Sequence, residues 1–255
     1  VANQRVIRVL EAADALYRAA AEEIVARIAA AVLARGSCAV ALAGGSTPRG
    51  IYRQLADDGP VGARARIPWE RVHLFFGDER HVAPDHPDSN YRMVSESLLR
   101  RTAVPPSNVH RVFAENAAAA AVACAYETEI RDSFTARGRM HGAWPRFDLC
   151  LLGMGVDGHT ASFFPGTAAA YERSRLVAAP WVPQFYAHRF TLTPSVFNAA
   201  ETVIFTVTGA DKAATLAAVL EGKRRVDLFP SQAIEPTRGE LLWFVDRDAG
   251  SELTR

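Results

Sequence analysis

Cysteine is scarce in this chain, with three in 255 residues, and Cys38, Cys124 and Cys150 are too far apart to form a Cys-x-x-Cys zinc pattern. An odd and small number of widely spaced thiols argues against a disulfide framework and for a reducing compartment. Charge imbalance is missing too: 29 Lys and Arg face 28 Asp and Glu, a formal net charge of +1. No broad field to attract nucleic acid or an anionic membrane follows from that balance. Long apolar runs are absent, since no window of about 18 uncharged apolar residues occurs, and a membrane span is not expected. Arg5, Arg8, Glu11 and Asp14 interrupt any signal-peptide core near the start. There is no fixed-period repeat, and no inner linker is long or polar enough to divide the chain. The expectation is therefore a single cytoplasmic domain over 1–255, without membrane or nucleic-acid partners, its oligomeric state open and a monomer favoured.

Apolar runs of strand length alternate with helical patterns throughout. Residues 10–34 read as a long amphipathic helix ended by Gly36, and residues 117–137 as an Ala-rich one. Strands are expected at 38–43, 71–76, 109–113, 147–152, 176–179, 189–193, 202–207 and 241–245, with loops at 59–70 and 138–145. This alternation predicts an α/β fold, a three-layer α/β/α sandwich around a mainly parallel, Rossmann-like sheet.

Three of these strands break into glycine at their carboxyl ends, where open parallel sheets bind ligands. The first, Ala43-Gly44-Gly45-Ser46-Thr47-Pro48, runs straight into a helix. Ser46 or Thr47 is suited to cap that helix and Pro48 to its first turn. Free N–H groups and the helix dipole there form a cradle for a phosphate. It is neither a Walker A loop nor a G-x-G-x-x-G fingerprint, so nucleotide binding is not indicated. The second, Gly77-Asp78-Glu79-Arg80-His81, packs four ionisable residues behind one glycine, with Asp88 expected to cap a helix through Leu99. The third, Gly153-Met154-Gly155-Val156-Asp157-Gly158-His159, sets an acid and an imidazole two residues apart. After it, Phe163-Phe164-Pro165-Gly166 is an apolar turn suited to wall a pocket or simply to pack. Lys212 follows Gly209 in a helix's first turn, where a cation opposes the dipole unless an anion binds nearby. From the residues alone this is an enzyme for a phosphorylated small molecule.

Taken in order, the three segments resemble the signature segments of the 6-phosphogluconolactonases, as does the later pairing of Arg189 in a strand with Lys212 after Gly209. The resemblance runs from about residue 10 to 245. It implies the fold shared with glucosamine-6-phosphate deaminase and ribose-5-phosphate isomerase. The deaminases share the G-S-T-P turn and the G-x-G-x-D-G-H pattern but differ at the second segment, so they rank second. A non-catalytic sugar-phosphate-sensing module ranks third, because no DNA-binding segment precedes residue 38. The implied activity is hydrolysis of 6-phospho-D-glucono-1,5-lactone, a step of the oxidative pentose phosphate pathway, with no cofactor and no metal. His159 is the candidate general base. Asp157 is the candidate to orient it, with Asp78 as the alternative. Gly44, Gly45, Ser46, Thr47, Asp78, Arg80, Arg189 and Lys212 are expected to bind substrate. The phosphate is expected at the 45–47 helix start with Arg189 and Lys212 closing on it, and a glycine-turn N–H or Arg80 at the oxyanion.

Overall fold

The computed structural model describes residues 5–57 and 63–254. The chain opens with β1 (Arg5–Leu10), α1 (Ala13–Arg35), β2 (Cys38–Leu42) and α2 (Ser46–Leu55). It continues with β3 (Val72–Phe76), β4 (Asp78–Arg80), α3 (Asn90–Ser97), β5 (Val109–His110) and α4 (Ala119–Ala136). A small hairpin, β6 (Met140–His141) and β7 (Trp144–Pro145), leads into β8 (Leu149–Gly153). The last third holds β9 (Val177–Ala178), β10 (Trp181–Val182), β11 (Ala187–Leu192) and α5 (Pro194–Asn198). It ends with β12 (Thr202–Val207), α6 (Ala213–Leu220) and β13 (Glu240–Asp246).

Seven strands form one sheet in the order β1-β13-β12-β8-β2-β3-β5, and every neighbouring pair is parallel. Right-handed crossovers then place α1 to α3 on one face and α4 to α6 on the other. The packing of α1 on α2 and of α2 on α3 agrees with that assignment. Central strands β2 and β12 are buried along their whole length, as a sheet covered on both faces requires. Large aromatics fill the space beneath the helices. Phe205 stacks on Trp243 at 3.9 Å, and Phe134 packs on Phe147 at 4.6 Å. Each such side chain contributes roughly 1.5–3 kcal/mol on burial. No helix of the described residues is long and apolar enough to cross a membrane.

The strand order carries the functional consequence. From β2 the chain moves outward through β3 to β5, and from β8 it moves the other way through β12 to β13. The boundary between β2 and β8 is thus a topological switch point, and ligands bind at the carboxyl ends flanking such a crevice. A second, antiparallel sheet, β10-β11-β4 with β9 also on β11, continues from the carboxyl end of β3 through Gly77.

Several sequence expectations are corrected. β1 had not been expected; its R-V-I-R-V-L run is a mostly exposed edge strand with two arginines, so burial leaves little pattern to read. The long helix accordingly starts at Ala13, not at residue 10, while Gly36 ends it in the left-handed conformation as expected. The strand expected at 109–113 is only two residues long, and the 138–145 loop contains the β6–β7 hairpin. Residues 58–62 of the 59–70 region lie outside the described residues; short 3₁₀ turns follow at Ala63–Arg66 and Trp69–Arg71. Ser89, not Asp88, caps α3, because its hydroxyl accepts from Arg92 N, and that helix ends at Ser97.

Candidate functional site

The turn after β2 is built by glycine. Gly45 has φ +104°, a conformation L-residues rarely adopt, and it is the N-cap of α2. Neither Ser46 nor Thr47 caps the helix, contrary to expectation: Ser46 is its first residue, and the Thr47 hydroxyl is 2.8 Å from that of Thr208 beyond β12. The first-turn N–H groups of α2 therefore keep no side-chain acceptor from the cap. Gly44 is required by closeness: a Cβ there would stand 2.0 Å from Asn90 Oδ1 at the start of α3.

After β8 the chain folds into a tight loop. Gly158 (φ +78°) donates to Gly155 O, and Gly155 N donates to His159 O at 2.9 Å. This brings the His159 ring over Gly155, where a Cβ would be 2.1 Å from Nδ1. Three hydroxyls pin the loop, Thr160 from within it to Gly153 O, and Thr215 and Ser231 from outside to Val156 O and Gly158 O. Ala161, also on this loop, is held at φ +46°, a strained position for a residue with a Cβ. Phe164 covers the imidazole with ring centroids 4.5 Å apart, the wall expected of the apolar turn.

His159 Nδ1 lies 2.5 Å from Asp157 Oδ1, and Asp157 also accepts from His159 N. With the proton of Nδ1 donated to Asp157, Nε2 carries a lone pair and has no hydrogen-bond partner among the described residues. Burial opposes ionisation of Asp157, but the hydrogen bond and charge of His159 outweigh it, and the carboxyl sits below its ordinary range. Asp78, the alternative partner, is occupied elsewhere: Ser162 Oγ donates to its Oδ2 and Asn90 Nδ2 to its Oδ1. Its neighbour Glu79 is buried and structural, accepting from the backbone of Arg80, Asn90 and Tyr91 at the start of α3.

Most of the expected residues come together. Gly44, Gly45, Ser46, Thr47, Asp78, Arg80, His159 and Lys212 line one cavity of about 260 Å³ at the switch point. Asp157 stands behind the imidazole rather than on the wall. Lys212 ends a short 3₁₀ turn and is the N-cap of α6, and its ammonium donates to Thr208 O at 3.0 Å. Arg189 is not on the cavity wall. It pairs with Arg80 across the antiparallel β11–β4 ladder, with its guanidinium over the Phe185 ring. Burial, then the positive Arg80 beside it, holds the Arg189 guanidinium below its ordinary value. Two like charges directly opposite are unfavourable; Arg80 donates to the Asp88 carbonyl and Arg189 to the His188 carbonyl, and neither forms an ion pair with a carboxylate among the described residues. Asn90 and Ser162, which hold Asp78, were missed by the sequence reading. The Ser-Asn pair at a helix start was the available signal, overshadowed by the preceding Asp88.

Fold and site together define an α/β protein of the switch-point type, with a glycine-capped helix start at one strand end and a hydrogen-bonded His–Asp pair at the next. Residues 11–243 match the family model described as glucosamine-6-phosphate isomerases/6-phosphogluconolactonase, and the chain belongs to that family. Among similar proteins, the 6-phosphogluconolactonase of Nostoc sp. is 38% identical over 251 residues, covering 98% of this chain and 99% of its own. The human 6-phosphogluconolactonase is 38% identical over 92% of this chain and 89% of its own. The solved 6-phosphogluconolactonase of Trypanosoma brucei superposes with a TM-score of 0.85 at 28% identity, covering 99% of this chain and all of that one.

Proposed function

We propose that this protein hydrolyses 6-phospho-D-glucono-1,5-lactone to 6-phosphogluconate. The observation that carries the reading is His159: its Nδ1 is committed to Asp157, and its ring lines the same cavity as the α2 cradle and Lys212. A lactone with a remote phosphate needs those two features side by side.

In this reading the phosphate sits against the free N–H groups of Gly45 to Thr47 with Lys212 as a charged donor. Arg80 reaches the same cavity, and Arg189 opposite it on the neighbouring strand adds positive potential. Anchoring that remote group orients the lactone carbonyl near His159. His159 Nε2 takes a proton from water as the water oxygen bonds to the carbonyl carbon. Asp157 keeps the ring in the required tautomer and stabilises the imidazolium. Backbone N–H groups of the glycine turns, or Arg80, stabilise the oxyanion. When the intermediate collapses, the bond from that carbon to the ring oxygen breaks and the imidazolium returns its proton to the leaving oxygen. The new carboxylic acid ionises, so each turnover releases one proton.

Proton release from freshly generated lactone, with and without the protein, tests the reading; glucosamine 6-phosphate with ammonia detection runs in parallel. Acceleration of the lactone alone is expected. Ammonia without a lactone effect would transfer the site to the deaminase branch of the family. Lys212→Ala is expected to raise KM with kcat little changed, and an unaltered KM would remove Lys212 from phosphate binding.

A further inference from the structure

Beside the catalytic cavity lies a larger one of about 510 Å³, reaching outward between α2 and α3 and sharing Gly45, Ser46 and Arg80 with it. Its walls carry five arginines, Arg49, Arg53, Arg80, Arg92 and Arg101, against two carboxylates, Asp88 and Glu96. Arg92 is matched by Glu96 at 2.8 Å. Arg49, Arg53 and Arg101 have no carboxylate within ion-pair distance among the described residues. Around α1 the pattern is the reverse, with Arg8, Arg27 and Arg66 each bound to a glutamate.

An unmatched cluster of this kind works against the fold. Arg49 and Arg53 are one helical turn apart, a spacing at which like charges repel. Arg49 also sits near the N-terminal end of α2, where a cation opposes the dipole. In a chain of formal net charge +1, three free guanidiniums gathered at one mouth give a local field that the global balance conceals. An anion in the groove offsets both costs.

We propose that this groove is an anion-binding antechamber: it captures the phosphate monoester dianion of the incoming substrate and passes it to the catalytic cavity across Ser46 and Arg80. The identity of that substrate rests on the lactonase reading. Guanidiniums suit the task because their planar forks take phosphate oxygens in pairs. Arg49, Arg53 and Arg101 stand outside the catalytic cavity, so they raise the local concentration of a dianion without touching the reacting carbonyl. Their effect is screened by salt over about 8 Å at physiological ionic strength.

The test is kcat/KM for the lactone as a function of ionic strength in the wild type, in R49Q/R53Q/R101Q and in R49K/R53K/R101K. At low salt the glutamine variant is expected to lose about 10-fold in kcat/KM, with kcat unchanged and most of the salt dependence gone. The lysine variant, which keeps the charge, is expected to retain the wild-type slope. A glutamine variant with wild-type kcat/KM and slope overturns the antechamber. If the triple variant does not fold, the single variants carry the test, each expected to lose about 2-fold in kcat/KM at low salt. Calorimetric titration with inorganic pyrophosphate, without substrate, separates the two readings. A wild type that turns over no lactone overturns the lactonase reading, whereas equal pyrophosphate affinity in the wild type and the glutamine variant overturns the groove.

Discussion

Two imidazole–carboxylate clusters sit on the same sheet and differ in their surroundings. One is His159 with Asp157, on the glycine loop after β8. The other runs from His73 on β3 to His110 on β5, 3.2 Å apart, and on to Glu129 of α4 at 2.9 Å from His110. By hydrogen bonding alone the second is the more extensive. Yet its rings lie within paired strands, His110 stacked flat on Phe75 at 4.2 Å. Burial, then the charges of Arg137 and His110, lowers His73 to about 4, so it is neutral at ordinary pH. His159 instead projects from a strand's carboxyl end into the cavity it shares with the start of α2, with one nitrogen uncommitted. A hydrogen-bonded acid and imidazole become a candidate site only when the fold leaves room for a substrate and something to hold it.

The largest contrast should come from removing each ring. His159→Ala is expected to lower kcat by roughly 10²–10⁴-fold, while His110→Gln leaves kcat unchanged in the same proton-release assay. Full activity in His159→Ala would end its role as base. Next in size is Gly155→Ala, whose Cβ would lie 2.1 Å from His159 Nδ1. Displacing the ring by about an ångström should cost on the order of 10²-fold in kcat while the circular dichroism spectrum stays that of the wild type. Asp157→Asn should lower kcat by less than His159→Ala, because the base remains and only its orientation and charge partner are lost.

The smallest effect separates the clusters by stability instead of rate. His73 has its value lowered from 6.5 to about 4, so as pH falls through that window the unfolded chain takes up the proton first. Stability contributed by the neutral ring is present above about 6.5 and lost towards 4. Urea midpoints of the wild type should therefore fall more steeply across this range than those of His73→Gln. Parallel curves would show that His73 is not strained by protonation.

Much of the fold was readable before any coordinates. Val40, Leu74, Leu151 and Ile204 lie in apolar runs of strand length, each bounded by helical periodicity, and all four fall in central strands as expected. Local burial writes such strands into sequence directly. β1, β4 and β10 were not readable, since an exposed edge or a pairing of two or three residues leaves no period, whereas β9 and β11 of the second sheet lie at the expected 176–179 and 189–193. The site residues were visible as types: glycines at strand ends, an acid near a histidine, a lysine at a helix start.

What the chain alone determined is this inventory, because propensity, turn chemistry and motif are properties of neighbours in sequence. The tertiary structure decided the adjacencies. The order β8-β2-β3 brings the three glycine-broken ends to one crevice. Ser162 and Asn90 draw Asp78 away from the imidazole, leaving Asp157 as its partner. The β4–β11 ladder sets Arg189 beside Arg80 instead of on the cavity wall, and α2 with α3 gathers Arg49, Arg53 and Arg101 into one groove. Apart from the Asp157–His159 pair itself, these adjacencies join residues from different elements of the chain. Only the packing of whole elements against one another, which no local preference encodes, selects among such pairings.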